Sequence, residues 1–399
     1  MRRRWTAVMG LLLCWAMLLG GALAAEAEDE LRFNEDGRFK IMVIADVQDS
    51  LKPSPYAEKL ITAALAAESP DLVVLTGDNI FGMAPALFFS ESNTMTAIDN
   101  VLAPIVEAGV PFCVVMGNHD SEGSTPRLDQ MLHYMQNPLC LAQVGDAQTG
   151  VGNYNVLLYD QAGQAPVLNL YFMDSGVTAP EGGYAYVQAD QIAWYEQTTD
   201  ALAAERGGEV LPAMLFQHIP VPEIYSVLTE VSKDTPGAVQ GTGAWKGKFY
   251  TANPEYVSAG SLGEGPCPPN INNGQFDSWT QKGDVFAAFF GHDHQNDFVA
   301  HWQGIDLVYS PGVGFYSYGN GYEHGVRVIE LSQDDVRDYS TRMVYYKDVV
   351  DGEIPYLLQY IGALYVQLAI AGGVVVVVLG VGAWLIARRI RRKRKKVVG

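Results

Sequence analysis

This 399-residue sequence has few cysteines and, against its 45 acids, few basic side chains. Of its four cysteines, Cys14 lies in the first 25 residues, leaving Cys113, Cys140 and Cys267, too few for a fold held together by disulfides. Cys113 stands in an apolar run and reads as a buried thiol, whereas an oxidising compartment admits a Cys140–Cys267 bridge. No asparagine begins an Asn-x-Ser/Thr acceptor, so the surface is not shaped for N-glycans. Of the 26 Lys and Arg, three sit at Arg2 to Arg4 and eight between Arg388 and Lys396. The stretch between them holds the remaining 15 against all 45 acids, a net charge of −30. Such a field repels polyanions and excludes a nucleic-acid partner. With 48% hydrophobic residues, the chain has ample surface to bury and is not intrinsically disordered.

The two ends read as membrane-related segments. Residues 1–25 combine a basic start, an apolar stretch through Leu19 and the small-residue run Ala22 to Ala25, the layout of a signal peptide cleaved after Ala24 or Ala25. An uncleaved anchor is the alternative, against which the short apolar run argues. At the other end, Ile361 to Ala387 contains Gln367 as its one strongly polar side chain. Residues 356–387 are therefore expected to cross a membrane. The basic residues 388–399 place the tail in the cytoplasm and attract anionic headgroups. On this reading residues 26–355 form an extracytoplasmic domain of a single-pass cell-membrane protein.

Within that domain, short apolar runs repeatedly end in polar residues that can hold a metal. Phe39 to Ala45 ends at Asp46, and Leu72 to Leu75 runs into Gly77-Asp78-Asn79. Phe112 to Met116 runs into Gly117-Asn118-His119-Asp120, Met214 to Phe216 leads to His218, and Val285 to Phe290 leads to Gly291-His292-Asp293-His294. These runs read as buried strands. Helices are expected at Tyr56 to Glu68 and Thr94 to Ala108, giving α/β crossover units with a largely parallel start. In such sheets sites form beyond the carboxyl ends of the strands, where all five clusters stand. Oxygen and imidazole donors of this kind suit divalent first-row metals, and one bridging carboxylate makes them enough for two ions. A lone Gly-Asp or Gly-His is usually a turn; it is the ordered set that points to chemistry.

The ordered blocks Asp46-x-Gln48, Gly77-Asp78-Asn79, Gly117-Asn118-His119-Asp120, His218 and Gly291-His292-Asp293-His294 resemble the calcineurin-like metallophosphoesterases, over roughly Phe39 to Leu331. Flanking stretches, Asp78 to Gly82, Tyr171 to Gly176 and His218-Ile219-Pro220, resemble the non-purple subgroup related to purple acid phosphatases. The resemblance implies a two-sheet β-sandwich flanked by helices. It implies one ion held by Asp46, Asp78 and His294, and a second by Asp78, Asn118, His218 and His292, with Asp78 bridging. His119 would contact the phosphate and assist the leaving group, oriented by Asp120. The implied reaction is phosphomonoester hydrolysis by a metal-bridging hydroxide, on a small-molecule or lipid phosphate.

Gln48 departs from the family pattern, which commonly has His there as a ligand of the first ion. The purple enzymes carry a Tyr three residues after the bridging Asp, where this chain has Phe81, so a purple Fe(III) site is not expected. A Gln carbonyl is a harder and weaker ligand than imidazole. It shifts the expected pair of divalent ions, from Mn, Fe, Zn or Mg, toward Mn. Two alternatives stand beside this reading. One is a phosphodiesterase or pyrophosphatase using the same site, and the other is a decayed phosphate-binding module with Gln48 as the first sign.

Other residues carry weaker signals. His133 reads as a surface residue of a helix over Leu128 to Gln136, and Asp293 as a loop-shaping residue between two ligands. His301 and His324 receive no role. The Gly- and aromatic-rich run Pro311 to Gly319 reads as a tight turn between late strands, with a loop approaching the phosphate as the alternative. Asn273, in the long loop Gly260 to Gly274, is a candidate for lining the pocket. Arg127, Lys246, Lys248 and Lys282 are cations whose position relative to the metals the sequence leaves open.

Overall fold

The computed structural model describes residues 31–145, 149–352 and 362–397; the expected signal peptide lies outside them. After β1 (Leu31–Arg32) come β2 (Arg38–Ile44), α1 (Pro55–Glu68), β3 (Leu72–Thr76), α2 (Glu91–Ala108) and β4 (Phe112–Val115). Next are α3 (Arg127–Tyr134), β5 (Tyr154–Tyr159), β6 (Pro166–Met173), α4 (Ala189–Glu205) and β7 (Ala213–Gln217). A small antiparallel sheet follows, made of β8 (Leu228–Val231), β9 (Val239–Gln240) and β10 (Phe249–Ala252). The remainder is β11 (Val257–Ala259), α5 (Gln275–Lys282), β12 (Val285–Phe290), β13 (Val299–Trp302), β14 (Ile305–Tyr309), β15 (Gly325–Ser332) and β16 (Asp335–Tyr345). Short α6 (Tyr346–Val349) precedes the C-terminal helix α7 (Gly362–Val397).

Local chemistry sets the helix ends. Ser54 caps α1 by accepting the Ala57 N–H, with Pro55 in the first turn, and the helix stops at Ser69 in a left-handed conformation just before Pro70. Ser90 and Gly109 do the same for α2, which continues through Pro104. The buried residues Leu60, Ile61, Ala64 and Leu65 line one face of α1, as 3.6-residue periodicity requires.

Strands β2, β3 and β4 run parallel, and β15 and β16 extend their sheet antiparallel in the order β16-β15-β2-β3-β4. The second sheet has eight strands in the order β1-β5-β6-β7-β12-β14-β13-β11. Side chains alternate across it: Leu168, Leu170 and Phe172 of β6 join the core shared with the five-stranded sheet, while Tyr171 and Met173 pack on the opposite side. The aromatics Tyr154, Phe172, Phe216 and Phe289 stack across neighbouring strands inside that shared core. Helices cover the outer faces, giving the α/β architecture of two facing sheets expected from the sequence.

All three described cysteines are free thiols, so the Cys140–Cys267 bridge is not formed. The two belong to different parts of the fold: Cys140 pairs with Phe112 at the edge of β4, whereas the Cys267 N–H donates to Asp293 beyond β12. Within α7, Gly372–Arg389 is an 18-residue stretch of mean hydropathy 1.6, with no residue buried, long and apolar enough to cross a membrane.

Candidate metal centre

The loops after β2, β3, β4, β7 and β12 converge at one end of the two sheets. They are laced to one another through the backbone: the Asp46 N–H donates to Gly77 O at 3.1 Å and the Gln48 N–H to Asp78 O at 2.8 Å. Among the described residues six non-glycines have positive φ, and four of them are here: Asp46 (51°), Gln48 (43°), Asp78 (51°) and His292 (75°). The left-handed backbone disfavours side chains bearing Cβ, and its concentration in one place marks a site rather than chance turns. Gly117 is dictated by space, since a Cβ there would stand 2.2 Å from the Asp78 N and Oδ1 atoms.

Asp78 is the hub. Its Oδ1 accepts the His119 N–H at 2.7 Å, and its Oδ2 lies 3.2 Å from His218 Nε2 and 3.3 Å from Gln48 Nε2. His218 Nε2 is also 3.2 Å from both Asn118 Oδ1 and His292 Nδ1. On the other side, His294 Nε2 stands 3.3 Å from Asp46 Oδ1 and 3.2 Å from Gln48 Nε2. Two groups of donor atoms result, Asp78-His218-His292 and Asp46-Asp78-His294, and the Asp78 carboxylate belongs to both. Asn118 joins the first group and Gln48 the second.

These donors fit a pair of divalent ions. Donors bound at right angles about 2.0–2.1 Å from an ion lie roughly 3 Å apart, the spacing seen between neighbouring atoms here. The buried His292 Nε2 has no hydrogen-bond partner, an arrangement costly to leave unmatched. His218 Nδ1 lies 3.0 Å from Thr76 O, and His294 Nδ1 lies 2.9 Å from Tyr318 O. Both Nδ1 atoms thus donate to carbonyls, fixing the tautomer that turns the Nε2 lone pair inward. A half-turn of the Gln48 amide would present its Oε1, a hard oxygen donor, in place of Nε2.

The electrostatics are those of a ligand set without its cations. Burial opposes charge on His218 and His294, yet Asp78 and Asp46 push both up to about 9. Burial likewise resists ionisation of Asp78, but the imidazoles of His218 and His119 hold it far below the usual carboxylate range. For His292, burial and the neighbouring His218 together keep the ring neutral.

His119 stands at the rim with its side chain 30% exposed, its Nε2 3.9 Å from Asp78 Oδ2. Its expected partner Asp120 is employed elsewhere: the buried carboxylate accepts the Ile80 and Gly117 N–H groups at 3.0 and 2.7 Å, tying two metal-bearing loops together. Burial, reinforced by Asp78, pushes Asp120 up to about 7. The residue that orients His119 is Glu122, whose Oε1 lies 2.8 Å from His119 Nδ1. The sequence carried one signal for it, a carboxylate one helical turn after the histidine. Phe81, at the position where the purple enzymes carry Tyr, packs against the His119 ring at 5.5 Å.

Two aromatics that received no individual role from the sequence line the site. Tyr184 meets the His292 ring edge to face at 4.3 Å, and Tyr318 stacks on His294 at 4.3 Å with a 5° interplanar angle. Tyr318 belongs to the Pro311–Gly319 run, which is more than a turn. Its Val313 and Gly314 N–H groups donate to Ala45 O and Asp46 O, fastening the strand-end loops together. Asp293 accepts from the Tyr309 hydroxyl at 2.6 Å and from the Cys267 N–H at 3.2 Å, shaping its loop. Asn273 donates to Val187 O, away from the donor cluster, whereas Asn270 packs over Gly182 and Gly183 beside Tyr184. His133 pairs with Asp99, and His301 with Asp306. His324 is buried, its Nδ1 bonded to Gly312 O at 2.7 Å.

Comparison with known proteins identifies the family. The family described as calcineurin-like phosphoesterase matches residues 39–296. "Probable inactive purple acid phosphatase 14" of Arabidopsis thaliana is 32% identical, over 75% of this chain and 77% of that protein. "Phosphatase DCR2" of Saccharomyces cerevisiae is 28% identical, over 76% of this chain and 53% of its own length. A solved dimetal phosphatase from Danio rerio covers 77% of this chain and 99% of its own at 15% identity, with a TM-score of 0.46. The chain belongs to the calcineurin-like phosphoesterases and is a metallophosphoesterase by class.

Proposed function

We propose that this protein is a membrane-anchored, exported phosphoesterase that hydrolyses phosphomonoesters with two divalent ions. The observation that carries the reading is the position of Asp78, one carboxylate shared by two converging groups of donors. Asp46, Gln48, Asp78 and His294 would hold one ion, and Asp78, Asn118, His218 and His292 the other. When bound, the ions supply charge neutralisation at the phosphoryl oxygens and a nucleophile at neutral pH. His119 gives a proton from Nε2 to the departing oxygen, held in place by the Glu122 carboxylate behind Nδ1. Asp120 positions the loops that carry Asp78 and Asn118. The donors themselves are buried, from 0 to 9% exposed, which limits their contact with bulk water.

Residues 1–25 would direct export, 26–355 would form the catalytic domain, 356–387 the span, and 388–399 a cytoplasmic tail. The apolar stretch Gly372–Arg389, followed after Ile390 by the basic run Arg391 to Lys396, supports this topology. Gln48 favours Mn over Zn at the first ion, because its available donor is an amide oxygen.

A second reading, a phosphate-binding module without turnover, draws on Gln48 and on the inactive designation of the Arabidopsis relative. The hydrolase reading predicts that the full chain in detergent, stripped with chelator, regains turnover of a chromogenic phosphomonoester with Mn²⁺. That turnover should fall at least a hundredfold in His119→Ala and Asp78→Ala. A folded chain that binds metal and phosphate yet hydrolyses neither a mono- nor a diester would establish the binding module instead.

A further inference from the structure

Beyond the metals, the rim of the site is aromatic and acidic. The Tyr318 hydroxyl lies 3.2 Å from Glu264 Oε1, and the same oxygen accepts the Gln295 N–H at 2.9 Å. That pair of bonds fixes the carboxylate one residue beyond His294. Tyr318 is 41% exposed despite stacking on His294, so part of its ring faces solvent beside the donors. Tyr184 rises from the His292 side, its ring edge on the imidazole, and its phenol is pushed up to about 12, first by burial, then by Cys267 and then by Asp293, Asp78 and Glu264. On the His119 side the nearest carboxylate is again an acid, Glu122.

The cations singled out in the sequence do not offset this. Arg127 is paired with Asp174 at 2.8 Å, Lys248 with Glu230 at 2.8 Å and Lys282 with Asp200 at 2.7 Å. Lys246 lies exposed at the end of the short turn Gly243–Trp245. A substrate carrying a second anionic group would meet Glu264 and Glu122 and be repelled. A substrate whose alcohol carries a positive charge would meet a carboxylate and the ring of Tyr318, the combination that attracts alkylammonium groups.

Building on the phosphoesterase reading, we propose that the preferred substrates are phosphoesters of cationic amino alcohols, such as a choline or ethanolamine phosphate. The phosphate sits over the metal donors, and the ammonium, two carbons beyond the ester oxygen, sits against Glu264, Tyr318 and Tyr184. In the reaction, the oxygen of water bonds to phosphorus and the phosphorus–oxygen bond to the amino alcohol breaks. The alcohol leaves with a proton delivered by His119. Free phosphocholine and the headgroup of a choline lipid share this chemistry.

The test compares phosphocholine with its uncharged carbon isostere, 3,3-dimethylbutyl phosphate, on the full Mn²⁺-loaded chain in detergent. We expect kcat/KM for phosphocholine to be about tenfold higher, and the ratio to collapse toward one in Glu264→Gln and Tyr184→Leu. A binding measurement free of turnover accompanies it: choline titrated calorimetrically should give saturable heat, and 3,3-dimethylbutanol none. Equal kcat/KM values with equal binding, or a preference for the isostere, would overturn the inference while leaving the phosphoesterase reading intact. Absence of turnover of both substrates and of p-nitrophenyl phosphate would overturn the phosphoesterase reading, and this proposal with it. Release of choline from phosphatidylcholine vesicles, leaving phosphatidate, compared with release of choline and inorganic phosphate from free phosphocholine, tells which source is used; release of choline from either supports the proposal, and release of phosphocholine from the vesicles, with choline from neither, overturns it.

Discussion

Acid should destabilise this fold through His324, a histidine outside the donor set, and the size of its contribution follows from where it sits. His324 is fully buried, donates from Nδ1 to Gly312 O at 2.7 Å and stacks on Phe315 at 4.2 Å. Burial pulls it down to about 4, against the partial support of the Gly312 bond. In the unfolded chain its value is about 6.5. The folded value is the depressed one, so between the two it is the unfolded chain that binds the extra proton. Stability is therefore fully present above pH 6.5 and is lost as pH falls toward 4, at up to about 1.4 kcal/mol per pH unit. The integrated loss is about 2 kcal/mol at pH 5 and about 3 kcal/mol at pH 4. Urea unfolding of the metal-free full chain, followed by tryptophan fluorescence from pH 7.5 to 4.5, should show this loss. His324→Gln should flatten the profile by that amount, whatever its offset at neutral pH. Parallel profiles for the two chains would refute the assignment. The consequence for the site is direct, since Gly312 precedes the Val313 and Gly314 bonds to the Asp46 loop, and Tyr318 of the same run holds His294.

Three further outcomes can be checked. Glu122→Gln should lower kcat about tenfold; because Asp78 and Glu122 raise His119 against the pull of burial, its removal should also shift the alkaline limb of the kcat–pH profile to lower pH, and an unmoved limb argues against the pairing. Gln48→His should raise Zn²⁺ affinity at least tenfold by equilibrium dialysis, whereas an unchanged affinity would place the side chain outside the ligand set. Gly117→Ala, whose Cβ would meet Asp78 N at 2.2 Å, should cost roughly 1–3 kcal/mol in unfolding experiments and weaken Mn²⁺ binding; a silent substitution would contradict the packing.

Much of this was legible because the apolar runs and the polar residues that end them are contiguous in sequence. Val285 to Phe290 followed by Gly291-His292 shows both a strand and its exit, so the five clusters and the α/β crossover units could be read without coordinates, while the second sheet was only what the family resemblance implied. Asp46 and His292 are far apart in the chain, yet each announces itself as the end of a strand. Contacts decided by side-chain direction were not legible. Asp120 and Glu122 both follow His119 within a turn, and which of them faces it depends on the short helical turn His119–Ser121, which buries Asp120 under Gly117 and Ile80. Cys140 and Cys267 looked pairable because a list of cysteines carries no distances. Tyr184 had no signal and Tyr318 only that of a Gly- and aromatic-rich run, since a tyrosine on a loop becomes part of a site only through the imidazole it happens to meet.

The strained backbone offers a last, sharper test of how the site is built. Gln48 holds φ at 43°, where a residue with a Cβ is disfavoured by about 1–2 kcal/mol. Shortening it to Ala or to Gly removes the same amide from the same buried place, so the two variants lose similar contacts and differ chiefly in backbone freedom. At an ordinary position Ala would be the more stable of the pair, because Gly gives up more entropy on folding. Here the order should invert, with Gln48→Gly more stable than Gln48→Ala by about 1 kcal/mol in the metal-free chain. If Ala proves equal or better, the left-handed turn is relaxed in solution and its part in presenting the Gln48 amide to Asp78 and His294 falls. If the inversion holds, the fold maintains a costly conformation in the absence of metal, and the donor set is preorganised rather than assembled by the ions.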